Sequence, residues 1–212
     1  MRAALRAGRR RLRRLRRPST RAIILLYHSV SEAAFDPWAL CVRPEDFAAH
    51  LEILRRRARV LSLNEMLDAL ERGSLPDRSV AITFDDGYVD NLEHARPHLE
   101  RHGFPATVFV TAGLVGSGRS FWWEELVELT LAALELPKVV RLSISGRPIS
   151  FSLGVDAAID TASPRYRSWR FDDPPPSRRH QLCRVLWQRL QPLPDEARRE
   201  VLRELREQVR CG

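Results

Sequence analysis

The chain has 212 residues, 44% of them apolar, which is enough for one globular domain with a hydrophobic core. Its formal net charge is +8, but residues 1–21 contain ten Arg and no acidic residue, so the remainder carries 25 basic and 27 acidic side chains. A basic character confined to one end does not indicate a nucleic-acid-binding protein. The three cysteines are widely spaced and odd in number, which argues against a disulfide framework or a zinc ribbon.

Residues 1–21 form an Arg-rich tail with two interpretations. Leu5, Leu12 and Leu15 fall on one helical face, so the tail could be a basic amphipathic helix in weak contact with an anionic membrane surface. The alternative, which its few large apolar residues favour, is a disordered, solvated tail. The apolar run at 22–26 is too short for a signal peptide and no stretch is long enough to span a membrane, so the default expectation is a cytoplasmic protein.

The next part of the chain alternates predicted strands with predicted helices. Strands are expected at 22–27, 60–63, 79–84 and 107–110. Helices are expected to begin at Pro44, after an Asn64 cap, and at residue 89, the last of them ending before Gly103. Strands that alternate with helices indicate an α/β fold with a parallel sheet or barrel.

The pattern changes after residue 113. A helix is predicted over 121–134, and a hairpin follows with strands at 139–144 and 149–153 around Ser145-Gly146. Two charged helices with apolar faces are predicted over 178–190 and 195–210. We interpret residues 114–212 as a mixed hairpin and helical insertion or subdomain.

The strand at 79–84 ends in two adjacent carboxylates, Asp85 and Asp86, and a glycine, Gly87. Neighbouring side chains point to opposite faces of a regular strand, so the carboxylates can share a site only where the strand stops, and Gly87 permits that turn. At the mouth of an α/β fold, one carboxylate can bind a metal ion while the other accepts a proton from an attacking water. The alternative is a helix N-cap, in which an Asp accepts backbone N–H groups.

The segment Thr83-Phe84-Asp85-Asp86-Gly87 resembles the first motif of the polysaccharide deacetylases, the NodB-like carbohydrate esterases. The run at 25–30, with its Tyr27-His28 pair, is similar to the first strand of that family, and residues 103–110 resemble its next strand. The resemblance covers residues 22–113. It implies an α/β fold that is the N-terminal part of a distorted (β/α) barrel of NodB type.

The resemblance implies a hydrolase that removes acetyl groups from an N-acetylated or O-acetylated polysaccharide or oligosaccharide, acting on carbon–nitrogen bonds other than peptide bonds. It also implies that Asp86 is a ligand of a divalent metal ion, for which we expect Zn²⁺, and that Asp85 is the catalytic base. His28 is a candidate substrate-binding residue, or a hydrogen-bonded histidine at a strand end. Trp122 and Trp123 are candidates for stacking on a sugar ring, or core anchors of their helix.

The family takes two metal-binding histidines from a His-Ser/Thr-x-x-His motif, and the 212 residues contain no such motif. We therefore expect the chain to be a fragment of the complete enzyme and to be inactive alone. His94, His98 and His102 recur every four residues, a spacing that zinc sites use, but we favour a partly exposed helix surface, because the ligands of the family come from a different element and Pro97 interrupts this helix. A second class of function also stays open: a non-catalytic carbohydrate-binding or interaction protein on a partial deacetylase fold.

Overall fold

The computed structural model describes residues 22–211, which form two compact units. The first contains residues 22–31 and Cys41–Thr111, and the second contains Glu32–Leu40 and residues 112–211. The Arg-rich tail at 1–21, for which disorder or an amphipathic helix is predicted, lies outside the described residues. As an assignment of functional domains, the division into 22–113 and 114–212 stays a prediction. Within the described range, no helix is both long and apolar enough to cross a membrane.

The first unit is built on a parallel sheet around one buried strand. The strands of this unit are β1 (Ala22–Tyr27), β2 (Ser29–Val30), β3 (Cys41–Val42), β4 (Arg59–Val60), β5 (Ser79–Phe84) and β6 (Thr107–Val108). β5 pairs with β1 along its whole length, with β4 near its start and with β6 near its end, while β2 pairs with β3 separately. All six residues of β5 are buried. The predicted α/β fold with a parallel sheet is confirmed.

Helices supply the other half of this core. They are α1 (Pro44–Arg57), α2 (Leu63–Glu71) and α3 (Arg96–His102), the last preceded by a π-helical turn (Asn91–Ala95). The π turn lies directly before Pro97, which has no N–H to continue a regular helical ladder. The buried side chains that join helices to sheet are Tyr27, Val30, Phe47, Leu51, Ile82, Phe84, Ala95 and Leu99.

The ends of two helices test the sequence predictions. Gly103 ends α3 at φ +63°, as its position predicts. The predicted Asn64 cap is wrong, because α2 begins two residues earlier than predicted, at Leu63, with Ser62 as its N-cap. The Ser62 hydroxyl accepts from the Glu65 backbone N–H while the Glu65 carboxylate accepts from the Ser62 N–H, a capping box that satisfies two backbone donors at once.

The second unit packs a hairpin against helices. Its elements are α4 (Trp122–Val127) with a π-helical turn (Glu128–Ala132), β7 (Val139–Ile144), β8 (Arg147–Ser152), a 3₁₀ turn (Gly154–Ala157), α5 (Pro164–Arg167), α6 (Arg178–Leu190) and α7 (Asp195–Cys211). β7 and β8 are antiparallel, joined by Ser145 and Gly146 at φ +51° and +73°, and the predicted hairpin is confirmed. Apolar side chains from α4, α6, α7 and β7 form one buried cluster.

Candidate active site

The two adjacent carboxylates lie where β5 leaves the sheet. The backbone N–H of Asp85 donates to the Tyr27 carbonyl at 2.9 Å, which extends the β1–β5 ladder by one residue. The chain then turns sharply, because Asp86 and Gly87 both adopt left-handed conformations, at φ +70° and +76°. Both carboxylates therefore stand at the C-terminal edge of the sheet and are half-buried. Helical residues begin only at Val89, so neither aspartate occupies the N-cap of the following helix.

Gly87 is required here for two separate reasons. Its φ of +76° is strained for any residue with a side chain. In addition, a Cβ at this position would lie 2.8 Å from Cγ1 of Val110, a residue of the segment that follows β6. The turn after the two carboxylates is thus packed directly against the neighbouring strand segment. This close approach fixes the position of the turn relative to the sheet.

His28 contacts the second carboxylate. Its Nδ1 lies 3.0 Å from Asp86 Oδ2, and the two side chains are 27% and 21% exposed. A carboxylate oxygen only accepts, so Nδ1 carries the proton and donates. The parallel register aligns Tyr27 with Phe84, so both strands end at the same level of the sheet and the residues that follow them meet. The structure thus joins two predicted site residues that are 58 positions apart in the sequence.

The chemistry of these donors fits a divalent metal ion, but their number does not fill a coordination shell. Carboxylate and imidazole are both ligand types of zinc, and both side chains are partly accessible. Among residues 22–211, no group of three or more His, Cys, Asp or Glu side chains is arranged to hold a metal ion. Asp86 can therefore supply one ligand, and a complete tetrahedral shell needs more donors.

The three helix histidines have different surroundings, and the His98 ring packs edge-on against Phe47 with centroids 6.4 Å apart. His94 Nδ1 donates to the Val30 carbonyl at 2.8 Å. His102 contacts the Glu52 carboxylate through Nε2 at 3.0 Å and the His98 carbonyl through Nδ1 at 2.8 Å. These contacts are structural ones within the first unit. The four-residue spacing here reflects helix packing against β2 and α1.

Trp122 and Trp123 belong to the second unit. Trp122 packs on the buried cluster of that unit, 6.3 Å from the Trp187 ring, with the Arg198 guanidinium 5.1 Å over its face. The Trp123 ring stacks on Phe121 at 4.5 Å and 13°. These contacts agree with an anchoring role, and a contact with sugar stays a prediction for both residues.

Sequence reasoning missed Asp90, which contacts β2, the strand that directly follows His28. Its carboxylate accepts from the Ser29 hydroxyl at 2.7 Å and from the Val30 N–H at 3.0 Å. The only signal in the sequence is an acidic residue four positions after Asp86, and this alone does not reveal a partner 60 residues away.

A parallel α/β sheet with paired carboxylates at its C-terminal edge is a site architecture of enzymes. Residues 72–137 match the family model described as polysaccharide deacetylase. The chain is 33% identical over 108 residues to YxkH of Bacillus subtilis (strain 168), a provisionally named polysaccharide deacetylase, covering 50% of this chain and 37% of that protein. It is 31% identical over 117 residues to poly-β-1,6-N-acetyl-D-glucosamine N-deacetylase of Staphylococcus aureus (strain MSSA476), covering 49% and 40% of the two chains.

A solved structure of IcaB from Ammonifex degensii is 31% identical, with a TM-score of 0.42, and the match covers 50% of this chain and 47% of that one. Over about half of its length the chain is similar to the polysaccharide deacetylases, and the resemblance to this family predicted from its motifs is confirmed. The matched part spans less than half the length of these curated relatives.

Proposed function

We propose that this chain contributes part of the active site of a carbohydrate deacetylase. The observation that carries the proposal is the turn after β5, where Asp85 and Asp86 leave the sheet together and His28 holds Asp86. Two carboxylates in different surroundings can have different roles in hydrolysis: one binds the metal ion and the other accepts a proton. The match of residues 72–137 to the polysaccharide deacetylase family supports the same chemistry.

Asp86 is the residue that would hold the metal ion. Its carboxylate is oriented by the His28 N–H, as expected of a ligating carboxylate with an outer-shell partner. When bound, a divalent cation such as Zn²⁺ polarises a carbonyl oxygen and lowers the pKa of water. The left-handed backbone at Asp86 turns its side chain away from the regular strand direction, which separates its role from that of Asp85.

Asp85 acts as the general base in this proposal. Its backbone is held at the sheet edge by the bond to the Tyr27 carbonyl, and its side chain is half-buried there. The carboxylate takes a proton from the attacking water as the water oxygen bonds to the acetyl carbon. The carbon–nitrogen bond then breaks, and the departing nitrogen takes up a proton. The products are acetate and a free amine on the sugar.

The substrate class we propose is an N-acetylated polysaccharide or oligosaccharide. The Staphylococcus aureus relative is named as a deacetylase of poly-β-1,6-N-acetyl-D-glucosamine, which supports an N-acetyl rather than an O-acetyl group. Trp122 and Trp123 stay candidates for contact with the sugar. A non-catalytic carbohydrate-binding role is the outcome expected if the natural protein binds the oligosaccharide and releases no acetate.

The test compares Asp85→Asn with Asp86→Asn in the complete natural protein. Asp86→Asn removes a charged ligand, so metal content and acetate release should fall together. Asp85→Asn keeps the shape but cannot take a proton, so metal stays while turnover drops by roughly 10²–10⁴-fold. Asp68→Asn, an exposed helix carboxylate of the same unit, is the matched control and should change neither quantity.

The readouts are metal content per protein and acetate release from an N-acetylated oligosaccharide. If Asp85→Asn loses metal and Asp86→Asn keeps it, the two roles are reversed. If both variants keep full activity, the turn after β5 is not the reaction site and the proposal fails.

A further inference from the structure

Asp90 joins the helical segment after the carboxylate turn to β2, the short strand that directly follows His28. Its two oxygens accept separate hydrogen bonds, Oδ2 from the Ser29 hydroxyl at 2.7 Å and Oδ1 from the Val30 N–H at 3.0 Å. Although Asp90 stands at the N-terminal end of the π-helical turn, its side chain does not cap that turn. The carboxylate is thus used to hold another element.

His94 holds the same strand from the next turn of the helix. Its Nδ1 donates to the Val30 carbonyl at 2.8 Å, so both backbone polar groups of Val30 are bonded to side chains of one helical segment. Ser29 is 3% exposed and Val30 is 0% exposed. Loss of these bonds is therefore costly, because a buried polar group that loses its partner bears the full desolvation penalty.

His28 directly precedes the held residues and reaches back to Asp86. The contacts therefore close a ring: Asp86 connects through the chain to Asp90, Asp90 holds Ser29 and Val30, and the adjacent His28 donates to Asp86. In such a ring, a shift of the β2 strand would move the imidazole away from the carboxylate. Small displacements of this kind matter at a site that must fix a ligand within a fraction of an ångström.

We propose that Asp90 is a positioning residue for Asp86, acting through His28. The inference rests on the proposed function in assigning Asp86 a ligand role, whereas the bonds from Asp90 to Ser29 and Val30, next to His28, are observed in the structure. A carboxylate suits this task because it offers one acceptor to a hydroxyl and another to a backbone N–H. Alanine offers none, and asparagine offers one acceptor together with an N–H that the Ser29 hydroxyl can accept.

The first test observes His28 directly in the 212-residue chain by long-range ¹H–¹⁵N correlation of the histidine side chains. The His28 signals are assigned by their loss in His28→Gln. We expect Asp90→Ala to shift and broaden the His28 Nδ1 signal, and Asp90→Asn to leave it near its original position. Asp68→Asn, which removes an equally negative carboxylate from α2 of the same unit, should leave it unmoved.

If Asp90→Ala does not fold, Ser29→Ala carries the test, because it removes only one of the two bonds to Asp90. This variant should shift the same His28 signal by a smaller amount. Backbone amide spectra of β5 residues show whether the sheet is intact in each variant. An unmoved His28 signal in a folded Asp90→Ala or Ser29→Ala variant overturns the proposal.

The second test measures zinc affinity of the complete natural protein by competition with a chelator. Asp90→Ala should weaken zinc binding by about 10–100-fold, the usual effect of losing an outer-shell partner. The same change in a His28→Gln background should have no further effect, because Asp90 acts through His28. Additive losses overturn the proposed route through His28. A moved His28 signal in a protein that releases no acetate leaves the Asp90 hold standing and removes the deacetylase assignment.

Discussion

Arg179→Met should destabilise the second unit more than any exposed arginine substitution. Arg179 is 0% exposed, and its guanidinium donates to four backbone carbonyls. Two of them, Ala133 and Leu134, follow the π-helical turn after α4, and the other two, Asp156 and Ala157, belong to the 3₁₀ turn. One side chain therefore bonds the ends of two chain segments, and of its four acceptors the Ala157 carbonyl also accepts from the Leu136 N–H at 2.9 Å.

The magnitude follows from those bonds and the burial. A hydrogen bond to a charged donor contributes about 1.5–3 kcal/mol, but four bonds of one group are not additive. Burial lowers the pKa of Arg179 because it disfavours the charged form, and this desolvation offsets part of the gain. Methionine fills similar volume and donates nothing, so buried carbonyl groups lose their donor at about 1–3 kcal/mol each; because these costs do not add fully, we expect the free energy of unfolding to fall by about 3–5 kcal/mol.

Urea unfolding followed by tryptophan fluorescence measures this loss in the correct unit. All five tryptophans, Trp38, Trp122, Trp123, Trp169 and Trp187, belong to the second unit. Arg189→Met is the matched control, because Arg189 belongs to the same helix and is exposed. The control should change the unfolding free energy by about 0.5 kcal/mol. Equal effects of the two substitutions would refute the role assigned to the Arg179 hydrogen bonds.

Three further predictions follow from individual sites. Zinc titration of the 212-residue chain by calorimetry should show only weak binding, because residues 22–211 contain no cluster of three donors, and tight one-to-one binding would contradict this. Burial lowers the pKa of His180 below its usual 6.5, so the unfolded chain binds a proton more readily than the native one. The contribution of His180 to the stability of the second unit should therefore be fully present above about pH 6.5 and decline as the pH falls below it. His180→Gln should flatten this decline, as measured by urea midpoints from tryptophan fluorescence. Gly87→Ala should lower the melting temperature more than Gly103→Ala, since both glycines have positive φ but only Gly87 would clash with Val110, and equal effects would show that the close approach is unimportant.

The central strand could be predicted because its signal is local. Residues 79–84 are a short apolar run that ends in charged residues and a glycine, and all six are buried. The Ser145-Gly146 hairpin is equally local, since two residues with positive φ suffice to specify it. The cap of α2 was also present in the sequence as Ser62-x-x-Glu65, and a single-residue rule that favoured Asn64 missed the reciprocal pair.

The contacts that organise the candidate site could not be predicted in the same way. The bond from His28 to Asp86 spans 58 residues, and those from Ser29 and Val30 to Asp90 span 61 and 60. They depend on the register of β1 against β5, since a shift by one residue reverses the direction of every side chain. Sequence periodicity identifies both strands but does not determine how they align.

The backbone of Asp86 shows why these long-range contacts matter. A residue with a side chain at φ +70° bears strain of about 1–3 kcal/mol and persists only where its surroundings fix it. Three contacts with two other segments fix Asp86 here: His28 bonds its carboxylate at 3.0 Å, the Thr111 N–H donates to its carbonyl at 3.2 Å, and the adjacent Gly87 packs against Val110. An aspartate that only capped a helix would need none of these contacts. Strain held by the residue after β1 and by the segment after β6 agrees with the proposed ligand role, in which the carboxylate must keep a fixed direction.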